Sequence, residues 1–228
     1  MLVGRRTAGG KLLGPEWPSS LKSGLVHLWE FNEDANDIIG GVNLSITGNV
    51  TYVAGKMKMC AYLNGGYLMS SGTVSVNAWT VSFWLYLASM GSSDSGIICR
   101  TASYDTWGLR INNDWNQSGE KLMFTNGANI TSRVSPVLLP KNQWAHVIAR
   151  LDGNCCFFNG VKYNFVDGSS VQSALGPLNI GSPVYVGVDN YNVSQRAIRG
   201  RIEQLAIWGR ALSDSEVAQL YNGGAGLT

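Results

Sequence analysis

The longest apolar run of the chain lies at residues 78–88, where Val81, Phe83, Leu85 and Leu87 alternate with Trp84 and Tyr86. Side chains of a strand point to opposite faces in turn, so the first four share one face and the two aromatics the other. A strand apolar on both faces predicts a central position covered on both sides. Shorter alternating runs, each bounded by Gly, Asn or Asp, predict strands at 25–31, 44–47, 50–54, 59–63 and 66–70. The same pattern predicts strands at 96–101, 107–112, 121–125, 129–133, 144–151, 154–158, 161–165, 177–181 and 184–188. Asp152-Gly153 and Asn159-Gly160 are two-residue hairpin signals.

The chain closes differently. Residues 202–208 read as a strand, and Ser213 and Glu216 then stand in the spacing of a capping box. Leu212 and Val217 are spaced as a hydrophobic staple, Val217, Leu220 and Tyr221 share a helical face, and Gly223 suits the left-handed closing position. The whole pattern predicts an all-β protein, a two-sheet antiparallel jelly-roll β-sandwich with a short C-terminal helix. The 228 residues fit one such domain, and 28 glycines with only 14% charged residues agree with many turns and few solvated helices. Residues 24–228 form that domain. Residues 1–23, rich in Gly, Pro and Ser, read as an arm outside the sandwich with Trp17 as its large anchor.

Charge and cysteine content narrow the function. A net charge of +2 is too small for a nucleic-acid footprint, and no apolar run approaches the roughly 20 residues that span a bilayer. The first residues lack the apolar stretch of about 7–15 residues of a secretory signal. Either a signal peptide has been removed and the protein is extracellular, or it leaves the cytoplasm by another route, such as assembly into a virus particle. Cys60, Cys99, Cys155 and Cys156 fit no zinc spacing, and the last two should face opposite sides of a sheet. They read as small buried hydrophobes, with a disulfide open but not demanded. Five N-x-S/T sequons, at Asn43, Asn49, Asn116, Asn129 and Asn192, read as ordinary members of an Asn-rich chain.

Several stretches taken in order carry a resemblance. They are Leu-Val-His-Leu-Trp-Glu-Phe at 25–31, Asn-Ala-Trp-Thr-Val-Ser-Phe-Trp-Leu at 77–85, Trp144-Ala145-His146-Val147, Phe157-Phe158-Asn159-Gly160, and residues 200–224. Over roughly 24–224 the chain resembles laminin-G-like domains of the concanavalin A-like lectin/glucanase superfamily. The resemblance implies the sandwich, but the fold hosts sugar binders, hydrolases and adhesion modules, so function must be argued from sites. Glucanases of the superfamily set carboxylates on alternate residues of one strand, where they act as nucleophile and acid. No strand here carries that pattern, and of the two histidines, His27 and His146, the second matches a position that is structural in the family. The expectation is a protein that is not an enzyme. The resemblance further implies calcium at the sandwich edge, with Asp34, Asp37 and Glu203 as its oxygen ligands. Gly65 and Gly66 stand where the family has acidic residues, which removes ligands and leaves a solvated acidic turn as the other reading.

Candidate ligand contacts come from two polar loops that hold aromatic residues. Trp115 lies among Asn113, Asp114, Asn116 and Gln117, and Tyr191 lies between Asn190 and Asn192, next to Asp189. Flat rings beside amides can stack on sugars and read hydroxyls, and loops on a rigid scaffold carry recognition. Packing of these rings onto the sandwich rim is the alternative. Two readings of function follow, ahead of a third, a glycan-active enzyme, for which the chain offers no residues. One is a non-catalytic binding or adhesion module for a glycan or host-surface polysaccharide, displayed on a bacteriophage particle at the virion surface. The other is a structural virion protein, a head decoration or tail component, that uses the fold for assembly alone. In both, the arm either docks on a neighbouring copy or particle subunit, giving a homo-oligomer, or folds back on its own sandwich.

Overall fold

A computed structural model of the chain describes residues 17–92, 94–102, 105–112, 119–126, 132–167, 175–189 and 193–228. Helix α1 (Ser19–Lys22) opens it, followed by β1 (Leu25–Trp29), β2 (Ser45–Thr47), β3 (Val50–Ala54), β4 (Met59–Asn64), β5 (Tyr67–Ser70) and β6 (Val74–Val76). Next come β7 (Thr80–Met90), β8 (Ser95–Ala102), β9 (Asp105–Asn112), β10 (Lys121–Asn126), β11 (Ser132–Val134) and β12 (Trp144–Arg150). The chain continues through β13 (Cys155–Phe158), β14 (Val161–Asn164), β15 (Val166–Asp167), β16 (Leu178–Ile180) and β17 (Val184–Val186). Helix α2 (Val193–Arg196), β18 (Ile198–Trp208) and helix α3 (Asp214–Tyr221) close it.

The strands form two large antiparallel sheets, the sandwich expected from the pattern. The first sheet runs β14-β13-β12-β7-β18-β4-β3, with β1 also on β18, and the second runs β15-β11-β10-β9-β8-β17-β5-β2. β6 and β16 make a separate two-stranded ribbon; each has three residues, too few for alternation to reveal β6 in the sequence. β7 lies between β12 and β18, as a strand apolar on both faces must. Its Val81, Phe83, Leu85 and Leu87 join Val147, Ala149, Ile202 and Ile207 in the main core, against Ile98, Leu109, Ile111, Phe124 and Val186 of the second sheet.

The outer face of the first sheet carries a second apolar cluster. Ile148, Phe157, Ala206 and Trp208 rise from the sheet, and Trp17, Leu21, Leu212, Val217 and Leu220 cover them. Cys155 belongs to this cluster and Cys156 to the main core, so adjacent cysteines do face opposite ways. All four cysteines are free and buried, and burial pushes the Cys60 and Cys156 thiols up to about 11 and about 12.

Residues 17–23, expected outside the sandwich, pack on it. The Trp17 ring stacks on Trp208 at 5.8 Å, and the Trp208 indole donates to the Leu21 carbonyl at 2.7 Å. The Arg210 guanidinium donates to the Ser20 and Ser23 carbonyls and to Glu216, tying this turn to α3. Residues 1–16 of the expected arm lie outside the described residues. The capping box forms as expected: Ser213 accepts from the Glu216 amide, and Glu216 accepts from the Ser213 amide at 2.8 Å. Asn222 takes the left-handed closing conformation one residue before Gly223. Asn159 and Gly160, both at positive φ, make the expected two-residue turn between β13 and β14. The other hairpin differs. Four residues, 151–154, join β12 to β13, because the Leu151 amide is drawn to the Trp79 carbonyl and Arg150 to the Asp152 carbonyl.

Trp208→Ala is expected to lower the unfolding free energy by about 3–5 kcal/mol. Removing residues 1–22, with buried Trp17 and Leu21, is expected to cost about 3–6 kcal/mol. Denaturant titration checks both, and an unchanged midpoint in either variant contradicts the second cluster's role.

Candidate functional site

Two of the predicted recognition loops spring from one end of the second sheet. β9 ends at Asn112, ahead of the loop that holds Trp115, and Ser95 at the start of β8 pairs with Ile111. Asp189 directly precedes the residues around Tyr191. Arg110 points away from the core between Leu109 and Ile111, both of which face it. Its guanidinium ion-pairs with Asp189 and, at 3.1 Å, with Asp94. Arg196 of α2 adds a second guanidinium on Asp189 at 2.7 Å, and the Asp189 amide donates to the Arg196 carbonyl. Asp189 is fully buried. It therefore holds the loop roots together and does not face a ligand, which corrects its assignment as a contact residue. Trp115, Asn113, Asn116 and Tyr191 lie outside the described residues.

The proposed calcium ligands are spent on other partners. Asp37 is buried, and its Oδ1 accepts from the amides of Leu28, Ile39 and Gly40. Its Oδ2 accepts from the Val42 amide and lies 2.7 Å from His27 Nδ1. Burial alone would raise the Asp37 pKa, but the His27 ring and the loop amides outweigh it and hold the group at about 2. Glu203 is likewise buried and accepts from the amides of Lys56, Met57 and Lys58. A Cβ on Gly55 would collide with its Oε2, so the loop can close over the carboxylate only with glycine there. Asp34, exposed in the turn, accepts from the Asn36 amide. Among the described residues no cluster of His, Cys, Asp and Glu could hold a metal ion. A carboxylate offers about four lone-pair sites, and those of Asp37 are already met by N–H donors; this donor set does not fit calcium. Gly66 sits against the turn between β2 and β3, where a Cβ would meet the Asn49 amide nitrogen at 2.5 Å.

The strand register shows a surface that spacing along the chain could not. On the outer face of the first sheet, His146 and Trp84 pair across strands, their rings 4.8 Å apart, with Tyr221 over them and the Lys56 ammonium 5.5 Å from the Trp84 ring. His146 is buried, and its Nε2 lies 2.9 Å from Ser82 Oγ. Burial pushes its pKa down to about 3. The next row comprises Tyr62, Arg201, Tyr86 and Trp144, aligned by register across β4, β18, β7 and β12. All four are half-buried.

Among the described carboxyl groups, Glu30 is the one held above its ordinary value, mainly by burial, with Asp34 and Glu203 adding and Lys58 opposing. Its ion pair with Lys58 spans 3.8 Å. It is the best described candidate for a general acid, but it lies just past β1, and Glu203 of β18, the strand carboxylate that acts on it, is taken up by the amides of Lys56, Met57 and Lys58, so the paired pattern of a glucanase is not completed.

The two-sheet fold is that of a lectin-like β-sandwich. A family model described as Concanavalin A-like lectin/glucanases superfamily, laminin G type, matches residues 63–218, and the chain belongs to that family. No curated protein sequence matches it. Among solved structures, it is similar to domain 4 of AbnA, an extracellular arabinanase from Geobacillus stearothermophilus solved with arabinotriose. The TM-score is 0.67 at 19% identity, with 89% of this chain and 98% of that one covered. The binding domain of Paraclostridial Mosquitocidal Protein 1 follows at TM-score 0.65 and 17% identity, over 90% of this chain and 53% of that one. Botulinum neurotoxin type C, which depends on two ganglioside molecules to get into cells, matches at TM-score 0.62 and 13% identity, over 90% and 52%. The chain thus spans about half the length of the two toxin chains.

Two outcomes follow. His146 refuses in the fold a proton that its unfolded form accepts below about 6.5, so stability is full above that pH and falls as pH drops toward 3. The expected slope is about 1.4 kcal/mol per pH unit, and Asp37 adds to the loss below 3.8. In His146→Gln the slope between pH 6.5 and 4.5 should flatten; denaturant titrations across that range check it, and an unaltered slope contradicts the assignment. Calcium followed by EDTA should leave the melting midpoint where it was; a calcium-dependent rise contradicts the reading of Asp37 and Glu203.

Proposed function

We propose that this protein is a non-catalytic binding module that recognises glycans, of the kind found on host or other cell surfaces, and does not cleave them. The observation that carries the reading is the shared root of two recognition loops. Arg196 and Asp94, both partly exposed, close a charge-balanced cluster around buried Arg110 and Asp189 that fixes one end of the second sheet. Breaking such a pair by removing one partner costs about 3–5 kcal/mol, so the roots are firmly held. The loops that leave this scaffold bring Trp115 with Asn113 and Asn116, and Tyr191, chemistry suited to stacking on sugar rings and reading hydroxyls. Similar folds solved with arabinotriose, or dependent on gangliosides, support a sugar partner. The carboxylates of Asp37, Glu203 and Asp189 are engaged by amides and guanidinium groups, which leaves them unsuited to acid–base work.

A glycan array tests the reading. The intact protein should bind a restricted set of glycans and release no reducing ends from them. Trp115→Ala with Tyr191→Ala should weaken that binding about tenfold or more, the scale of aromatic anchors at binding sites, with an unchanged melting midpoint. Absence of binding to every glycan contradicts the proposal. Steady release of sugar, lost in Glu30→Gln, would make the protein a hydrolase instead.

A further inference from the structure

Among the described residues, the outer face of the first sheet is covered at one end and only half-buried at the other. Its cover ends with Tyr221 and the loop at 55–58, which lie over His146, Trp84 and Glu203. Beyond them stands the half-buried row of Tyr62, Arg201, Tyr86 and Trp144. The Arg201 guanidinium lies 6.0 Å from the Tyr62 ring centroid and 5.3 Å from that of Tyr86, and Trp144 meets Tyr86 edge-on at 5.9 Å. Four strands at about 4.8 Å spacing make the row roughly 14 Å long, enough for a short stretch of polysaccharide.

The charges on this face are unmatched. Arg201 makes no ion pair or hydrogen bond through its side chain among the described residues, nor do exposed Arg199, two positions along β18, and exposed Lys56. Among the described residues, the Tyr62 and Tyr86 hydroxyls and the Trp144 indole N–H also have no partner. Glu203, the acidic residue next along the same face of β18, is consumed by three backbone amides. Unlike Arg110, Arg150 and Arg210, which each hold a carboxylate, Arg201 is positioned by rings and left without an anion.

We infer that this row is a second binding face, separate from the rim loops, and that it takes an acidic glycan whose carboxylates sit on Arg201 and Arg199. The inference rests on the glycan-binding reading but on none of the same residues. Two aromatic faces hold the guanidinium plane, so less freedom is lost when its fork closes on a carboxylate. The phenol hydroxyls, the indole N–H and the Lys56 ammonium offer further hydrogen bonds to sugar hydroxyls and acids. A neutral polymer would use the rings but leave three cations unanswered.

Polygalacturonate, the same polymer with its carboxyl groups reduced, and polyglutamate are the probes. The protein should bind polygalacturonate about tenfold or more tightly than the reduced polymer, as charge-assisted bidentate pairing implies, and the difference should shrink as salt is added. Arg201→Gln and Trp144→Ala should each abolish most of that preference without moving the melting midpoint, while the Trp115→Ala, Tyr191→Ala protein keeps it. Should Arg201→Gln fail to fold, Arg199→Gln, at an exposed position, reads the same charge. Equal binding of the two polysaccharides, or wild-type affinity in both arginine variants, overturns the inference and leaves the glycan-binding reading standing on its array result. Polyglutamate bound as tightly as polygalacturonate overturns it in favour of an acidic polypeptide.

Discussion

β7 and β18 carry apolar side chains on both faces, and neither face can be left in water. The inner face meets the second sheet; the outer face needs a second cover, which the chain supplies from its two ends. Trp17 and Leu21 come from one side and Leu212, Val217 and Leu220 from the other, meeting on Trp208. Each large side chain so buried contributes roughly 1.5–3 kcal/mol, an amount a four-residue helix such as α1 could not supply from backbone bonds alone. The polar contacts at this seam are directed by that packing. Arg210 satisfies the carbonyls of the α1 turn and the Glu216 carboxylate together, and Arg150 holds the Leu212 carbonyl and Asp214.

That cover is finite, and its edge organises the surface. Where α3 and the loop at 55–58 end, the same sheet face changes from buried and apolar to half-buried, aromatic and cationic. Ion pairs elsewhere are structural: Asp189 fixes loop roots and Asp214 anchors the start of α3. Buried acids are satisfied by amides, as Asp37 is by the loop at 39–42 and Glu203 by the loop at 56–58. The cations on β18 that remain unanswered gain their meaning from the contrast with Arg110, Arg150, Arg196 and Arg210, each of which holds a carboxylate.

Much of this fold was legible because the signals are local. Period-two alternation marked β7, the Ser213 and Glu216 spacing marked α3, and Asn159-Gly160 marked its turn. Residues 17–23 read as an arm that either docks on a neighbour or folds back, because what fixes them, Trp208, is remote in the chain, and composition reports only that the segment is rich in Gly, Pro and Ser. Asp37 and Glu203 looked like metal ligands for a related reason. Their residue type is right, but the amides that occupy them come from loops whose course depends on the tertiary fold. The row of Tyr62, Arg201, Tyr86 and Trp144 was hidden because its members are scattered over four strands. Only the register, set by the β18 bulge where Gln204 stands at φ 55°, brings them level.

Under the proposed function, sugar is held on the half-buried row of the first sheet and by the loops rooted at Arg110 and Asp189. Titrating nitrogen-15-labelled protein with oligogalacturonate, and following the tryptophan indole signals, tests it most directly. The Trp144 indole should shift with the Arg201 and Tyr62 amides, while those of buried Trp17, Trp29, Trp79 and Trp208 stay fixed. Shifts confined to buried indoles, or no shift at Trp144 at saturating ligand, would contradict it.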